Sequence, residues 1–231
     1  MKACYFVTIF LFVAVGNYSQ TIQIGVGAGS TIVTGAEFYT NDLAGNLLLG
    51  MLNPPEGVVF HPQSLGFSSE YNLNIKAKML LPDLPISFYS DLSYNLLRGK
   101  GEVMIVNPVS SSMPPLDEAE SKCNLFNASL GAELRVLNQV LTPYFDLGFV
   151  ISYLGNIKLE TADDYENYEV TFLKGGVRYG FEAGIGWDYK FSSNFLIGIS
   201  SKFTRNNLLG KADGEKNLNT LRTNIYILYE L

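Results

Sequence analysis

From Thr21 onward the chain alternates apolar and polar residues with a period of two, in one segment after another, to its last residue. A period of two puts successive side chains on opposite faces of an extended strand, so this pattern excludes an amphipathic helix and demands a sheet with two unlike faces. The alternation predicts strands over 21–38, 64–81, 85–97, 122–136, 143–154, 170–189, 194–204 and 218–231. Short connections (81–85, 137–142, 190–193) alternate with long ones (39–63, 98–121, 155–169, 205–217). Prolines such as Pro54, Pro55, Pro114 and Pro115 fall in the long connections, where no ladder needs the missing N–H.

The two faces differ in a way that says which is inside. One carries Ile24, Val26, Leu73, Ile75, Leu92, Leu130, Leu147, Phe149, Ile185, Ile197, Ile225 and Ile227 with almost no charge. The other carries Glu37, Glu70, Lys76, Lys78, Asp91, Glu133, Arg135, Asp146, Lys174, Arg178, Glu182, Asp188, Lys202, Arg222 and Glu230, acids and bases in near balance. The glycines Gly25, Gly27, Gly29, Gly131, Gly148, Gly176, Gly180, Gly184, Gly186 and Gly198 sit on the charged face. A solvated face has no use for small residues, whereas the crowded lumen of a narrow barrel does. The charged face is therefore expected inside and the apolar face in lipid. The reading is an all-β fold: an eight-stranded antiparallel up-and-down transmembrane β-barrel, with both termini on the short-turn side. Aromatic girdles are expected at Phe88, Phe145, Trp187, Tyr189, Phe195 and Tyr229 near the short turns, and at Phe67, Tyr94, Tyr153, Phe172 and Phe203 near the long loops.

The first residues carry a different signal. Lys2 precedes an apolar run over 3–15, within the range of a secretory signal and short of a membrane-spanning helix. Residues 1–19 are read as a signal peptide, cut after Gly16 or Ser19, and 20–231 as one barrel domain. Cys4 lies ahead of the apolar run, so it is not a lipid acceptor, and the mature chain keeps only Cys123. Formal charge is −6 and the isoelectric point about 4.8, which disfavours a nucleic-acid partner.

The stretch 180–199, GFEAGIGWDYKFSSNFLIGI, resembles the penultimate hairpin of the OmpA-like outer-membrane β-barrel domain family in its Bacteroidetes-type form. The segment 221–231 is similar to that family's terminal assembly signal, with Leu231 where an aromatic is usual and Tyr229 in the alternating place before it. The resemblance implies an outer-membrane address reached through the periplasm in a Gram-negative cell. It also implies outer-membrane lipid, lipopolysaccharide and the insertion machinery as partners. The peptidoglycan-binding domain of full-length family members has no counterpart in 20–231.

Candidates for chemistry are few. Gly25, Gly27 and Gly29 lack dinucleotide-loop spacing and lie inside a strand, so they read as lumen packing. His61, the single imidazole, has Ser64, Ser68 and Ser69 nearby but no triad spacing. Glu160, Asp163, Asp164, Glu166 and Glu169, beside Lys158, offer carboxylate oxygens for Ca²⁺ but not the EF-hand order, and read as a solvated acidic loop. Cys123 reads as an inert thiol, buried or half-buried. No catalytic, cofactor or metal residue is assigned. The expected function is a non-enzymatic, monomeric barrel with a side-chain-filled lumen and loops for structural, adhesive or assembly roles, their partner unidentified. The alternatives are a lipid-modifying enzyme using His61 at the outer rim, and a small-solute channel. Inside the lumen, Asp146 is expected to pair with Arg135 or Arg178 on neighbouring strands.

Overall fold

The computed structural model describes residues 21–38, 70–81, 84–104, 116–136, 140–161, 169–211 and 215–231. Within these, side chains are described except at 35–38, 100–104, 116–120, 159–161, 169–173 and 216. The strands are β1 (Thr21–Phe38), β2 (Glu70–Leu80), β3 (Ile86–Met104), β4 (Leu116–Arg135), β5 (Leu141–Leu154), β6 (Ile157–Thr161), β7 (Glu169–Leu173), β8 (Gly176–Lys190), β9 (Phe195–Leu209) and β10 (Glu215–Glu230). All pairings are antiparallel. The order β3-β2-β1-β10-β9-β8-β5-β4 closes on itself through β3–β4, which makes an eight-stranded barrel. The segments β6 and β7 continue two of the barrel strands upward, with β6 paired to both β4 and β7. The fold expected from the alternation is the fold observed.

Burial alternates along every barrel strand. On β5, Leu147, Phe149, Ile151 and Tyr153 are exposed on the outside while Tyr144, Asp146, Val150 and Ser152 are buried. The same holds on β10, where Ile225, Ile227 and Tyr229 face out and Arg222, Asn224 and Tyr226 face in. Closure satisfies the backbone of every stave without an edge, and this is one of the two ways a chain can meet hydrocarbon. From Leu141 to Tyr153 the outward apolar stripe of β5 rises roughly 30 Å at the ~40° tilt of such barrels, enough for an apolar band of ~25 Å.

Two connections are shorter than the sequence implies. Pairing of β3 with β4 runs up to Met104 and Leu116, so most of 98–121 is a two-stranded ribbon. β9 reaches Leu209 and β10 begins at Glu215, so 205–209 and 215–217 are strand and not connection. Next to Leu209, Gly210 has a φ of 78° and lies against the Val177 carbonyl, a place where a side chain would be strained. Alternation fades in these extensions, yet the β3–β4 hydrogen-bond ladder continues to its end. The sixth predicted strand is also not continuous. It breaks at Lys174–Gly175, opposite a break at Gly155–Asn156, where the Gly175 N–H donates to Asn156 Oδ1 at 2.8 Å. The break corrects one placement: Lys174 is exposed and does not line the lumen.

Candidate functional site

The lumen is filled from its short-turn end upward by a charged network that spans the barrel. In the lower layer, β2 sends in Lys76 and Lys78. Lys78 Nζ donates to Asp188 on β8 at 2.6 Å and lies 3.1 Å from Glu133 on β4. Lys76 Nζ pairs with the same Glu133 at 2.6 Å. All four side chains are at most 1% exposed. Around the two ammonium groups stand three phenol rings. Lys76 Nζ lies 5.2, 4.9 and 5.1 Å from the centroids of Tyr89, Tyr144 and Tyr226, and Lys78 Nζ lies 4.2 Å from that of Tyr144. Cation–π attraction of this kind is worth up to ~2 kcal/mol when desolvated. The Tyr144 and Tyr226 hydroxyls bond each other, and Tyr226 OH donates to Asp188 at 3.2 Å.

The glycines explain how three phenols and two lysines fit. Tyr89 is in register with Gly131, Tyr144 with Gly186 and Tyr226 with Gly198. A Cβ at Gly131 would stand 2.7 Å from Tyr89 Cε1, and one at Gly186 or Gly198 would overlap the edge of the facing phenol. Gly25, Gly27 and Gly29 are packed in the same way, with a Cβ at Gly27 placed 2.7 Å from Tyr226 Cβ. They are lumen packing, as their spacing suggests.

The middle layer centres on Glu182 of β8. It accepts from Arg222 of β10 at 2.7 Å, from Lys202 of β9 at 2.9 Å and from the Tyr89 hydroxyl at 2.9 Å. Lys202 Nζ also lies 3.8 Å from both Asp91 of β3 and Asp146 of β5, and Arg222 lies 3.9 Å from Asp91 and donates to Ser93. Asp146 therefore faces Lys202, not Arg135 or Arg178. The lysine stem crosses the narrow interior past Gly184, whose absent side chain leaves room for Lys202 Cγ. Arg178 is committed elsewhere, to Glu215 at 2.8 Å, and Glu215 accepts in turn from Asn207 at 2.6 Å.

Each end of the lumen turns apolar. Leu196 and Leu228 pack with Tyr226 at the short-turn end. At the other end Leu97, Leu125, Leu154, Ile157 and Leu218 point inward and are at most 1% exposed. Sequence reading missed these inward leucines, along with Asn206, Asn207 and Glu215. Leu97, Leu125, Leu154, Leu218 and Asn206 keep the phase of the alternation past the point where its polar half stops being polar, whereas Asn207 and Glu215 fall off it.

Of the candidates for chemistry, His61 and Asp163, Asp164 and Glu166 lie outside the described residues, as do the side chains of Glu160 and Glu169. Among the described residues no cluster of His, Cys, Asp and Glu is grouped to hold a metal ion. Cys123 is buried, with its Sγ 3.5 Å from the carbonyl oxygens of Asn124 and Gly155. No helix among the described residues is long and apolar enough to cross a membrane.

No protein-family model and no curated protein matches the sequence. Solved structures do match in fold. The outer membrane protein OprG from Pseudomonas aeruginosa aligns over 94% of this chain and 98% of its own, at 10% identity and a TM-score of 0.53. Neisserial surface protein A aligns over 92% of this chain and 97% of its own, at 10% identity and a TM-score of 0.48. The outer membrane protease OmpT from Escherichia coli aligns over 92% and 96%, at 9% identity and a TM-score of 0.46. The likeness to OprG is one of fold: an eight-stranded barrel of the outer-membrane kind.

Proposed function

We propose that the chain is an integral outer-membrane protein whose barrel is a closed, non-conducting and non-enzymatic scaffold for the loops on its far side. In this reading residues 1–19 direct export and are removed, and the insertion machinery places 20–231 in the membrane as a monomer. It is a member of the OmpA-like kind of barrel. The single observation that carries the closed-scaffold reading is the crossing of the lumen by Lys78, held between Glu133 on one wall and Asp188 on another. A channel would need that span open, and opening it would strand buried charges at several kcal/mol each. An active site would need a reactive group that substrate can reach, whereas the charged groups of the lumen are committed to one another.

Planar-bilayer recording tests the reading. Purified protein is expected to give no stable porin-sized step. A steady, large, ion-selective conductance from the wild type would replace the scaffold with a channel.

A further inference from the structure

Buried charge in the lumen does not balance. Arg178 and Glu215 form a pair of their own toward the long-loop end. With that pair set aside, the buried bases among the described residues are Lys76, Lys78, Lys202 and Arg222. The buried acids are Asp91, Glu133, Asp146, Glu182 and Asp188. The lower and middle layers therefore hold five acids and four bases. Arg135, Lys190 and Glu230 stand at the short-turn rim and are not buried, so water screens them from this sum.

The geometry identifies the surplus acid. Glu133 meets Lys76 at 2.6 Å and Lys78 at 3.1 Å, and Asp188 meets Lys78 at 2.6 Å. Glu182 takes Arg222 at 2.7 Å and Lys202 at 2.9 Å. Asp91 stands between those same two cations, at 3.9 and 3.8 Å. Asp146 has one cation within reach, Lys202 at 3.8 Å, and neither of its oxygens has a hydrogen-bond partner among the described residues. Its surroundings oppose a second negative charge. On β4, Glu133 lies opposite it in register. On β8 its register partner is Gly184, and Glu182 is the next inward residue. On β3, Asp91 shares Lys202 with it, and Tyr89 gives its hydroxyl to Glu182. The cations nearby are engaged elsewhere: Lys76 of β2 with Glu133, and Lys202 of β9 and Arg222 of β10 with Glu182. An ionised carboxylate buried without hydrogen bonds is among the costliest groups to bury, and crowded carboxylates tend to keep a proton.

We propose that Asp146 is a proton-binding site: in the folded barrel at neutral pH its carboxyl holds a proton, which leaves four ionised acids against four bases in the two layers. The proton comes from solvent as the barrel closes and returns to solvent when it unfolds. A metal ion does not fit in its place, because no His, Cys, Asp and Glu side chains among the described residues are grouped to hold one and the Lys202 ammonium stands 3.8 Å away. The lumen thereby carries a pH-sensitive element. From the ordinary aspartate range near ~4 up to neutral pH, the folded chain binds one more proton at this residue than the unfolded chain does. Acid therefore favours the fold through Asp146, and alkali opposes it. Once the proton leaves, Asp146 and Glu133 face each other as anions and Lys202 is shared among three acids, which loosens the middle layer. The proposal goes beyond the scaffold reading and needs only the lumen geometry.

The test is carbon NMR of the folded mature chain in detergent micelles, with isotope-labelled aspartate and the Asp146 carboxyl assigned through its own backbone. At neutral pH that carboxyl carbon is expected at the position of a protonated acid, and those of Asp91 and Asp188 at the position of carboxylates. A carboxylate position for Asp146 would overturn the proposal. The signal is read on the wild type, so it decides the matter even where a variant fails to fold. Urea unfolding of D146N and D91N adds a second reading. Asn has the shape and charge of a protonated Asp, so D146N is expected to unfold at or above the wild-type midpoint at neutral pH, and D91N below it. As the pH falls from about 7 to about 5, the wild type should gain on D146N by up to about tenfold per pH unit in its unfolding constant. A difference between them that does not move with pH, or a loss in D146N as large as that in D91N, would also overturn the proposal. Bilayer conductance is silent on the proton, so this site can fail while the scaffold reading stands.

Discussion

Tyr226 on β10 stands in register with Gly198 on β9, and its ring occupies the space that a side chain at residue 198 would need. The relation fixes the order of packing in the lower lumen, because the same ring also flanks Lys76 and the same hydroxyl binds Asp188. Gly198→Val is expected to destabilise the barrel by about 1–3 kcal/mol through overpacking. Tyr226→Ala in the same chain should relieve part of that loss. Urea unfolding in lipid vesicles measures both. Additive losses in the double variant would mean that the two residues do not compete for space.

Glu182 holds the middle layer, with Lys202, Arg222 and Tyr89 all donating to it. Glu182→Leu leaves two buried cations short of their main partner and is expected to cost about 3–5 kcal/mol, toward the low end because Asp91 and Asp146 stand nearby. The loss should appear as a fall in the urea midpoint. A midpoint within error of wild type would mean that the network contributes nothing to stability.

The lipid-facing reading of the apolar face has its own test. Leu147 and Ile227 are exposed on the outer wall of β5 and β10. Each changed to Arg should cost about 2–4 kcal/mol if it lies near the bilayer midplane. Neutral results at both positions would place that face outside hydrocarbon.

How much was legible in the sequence follows from the two unlike faces of the wall. One face is apolar at every second position, so strands such as Leu141–Leu154 were readable, and so was the inward turn of Asp91, Glu133 and Glu182. Beyond the apolar band that contrast ends. The ribbon joining Arg98–Met104 to Leu116–Lys122 therefore read as a loop, and the burial of Asn207 and Glu215 follows no pattern. The partner of Asp146 was missed for a different reason. Alternation says which face a charge occupies, but a lysine stem reaches past its neighbours, and Lys202 meets acids on three strands.

Heating supplies a further check on the closed ladder. A barrel with every stave paired and its lumen filled resists detergent until it is heated. The folded mature protein is therefore expected to migrate differently on gels before and after boiling, and to fractionate with the outer membrane. Recovery of folded protein without detergent would remove the barrel from the membrane.

The central claim is that the apolar face lies in lipid around a closed polar interior, and Trp187 reports on it directly. It is the only tryptophan of the chain, half-exposed on the outer wall of β8 and three residues from that strand's end at Lys190. Tryptophan emission of the reconstituted mature protein should be blue-shifted and quenched by lipids brominated on their acyl chains, and should be little affected by aqueous iodide. Emission at the position of tryptophan in water, quenched by iodide and untouched by brominated lipid, would contradict the account.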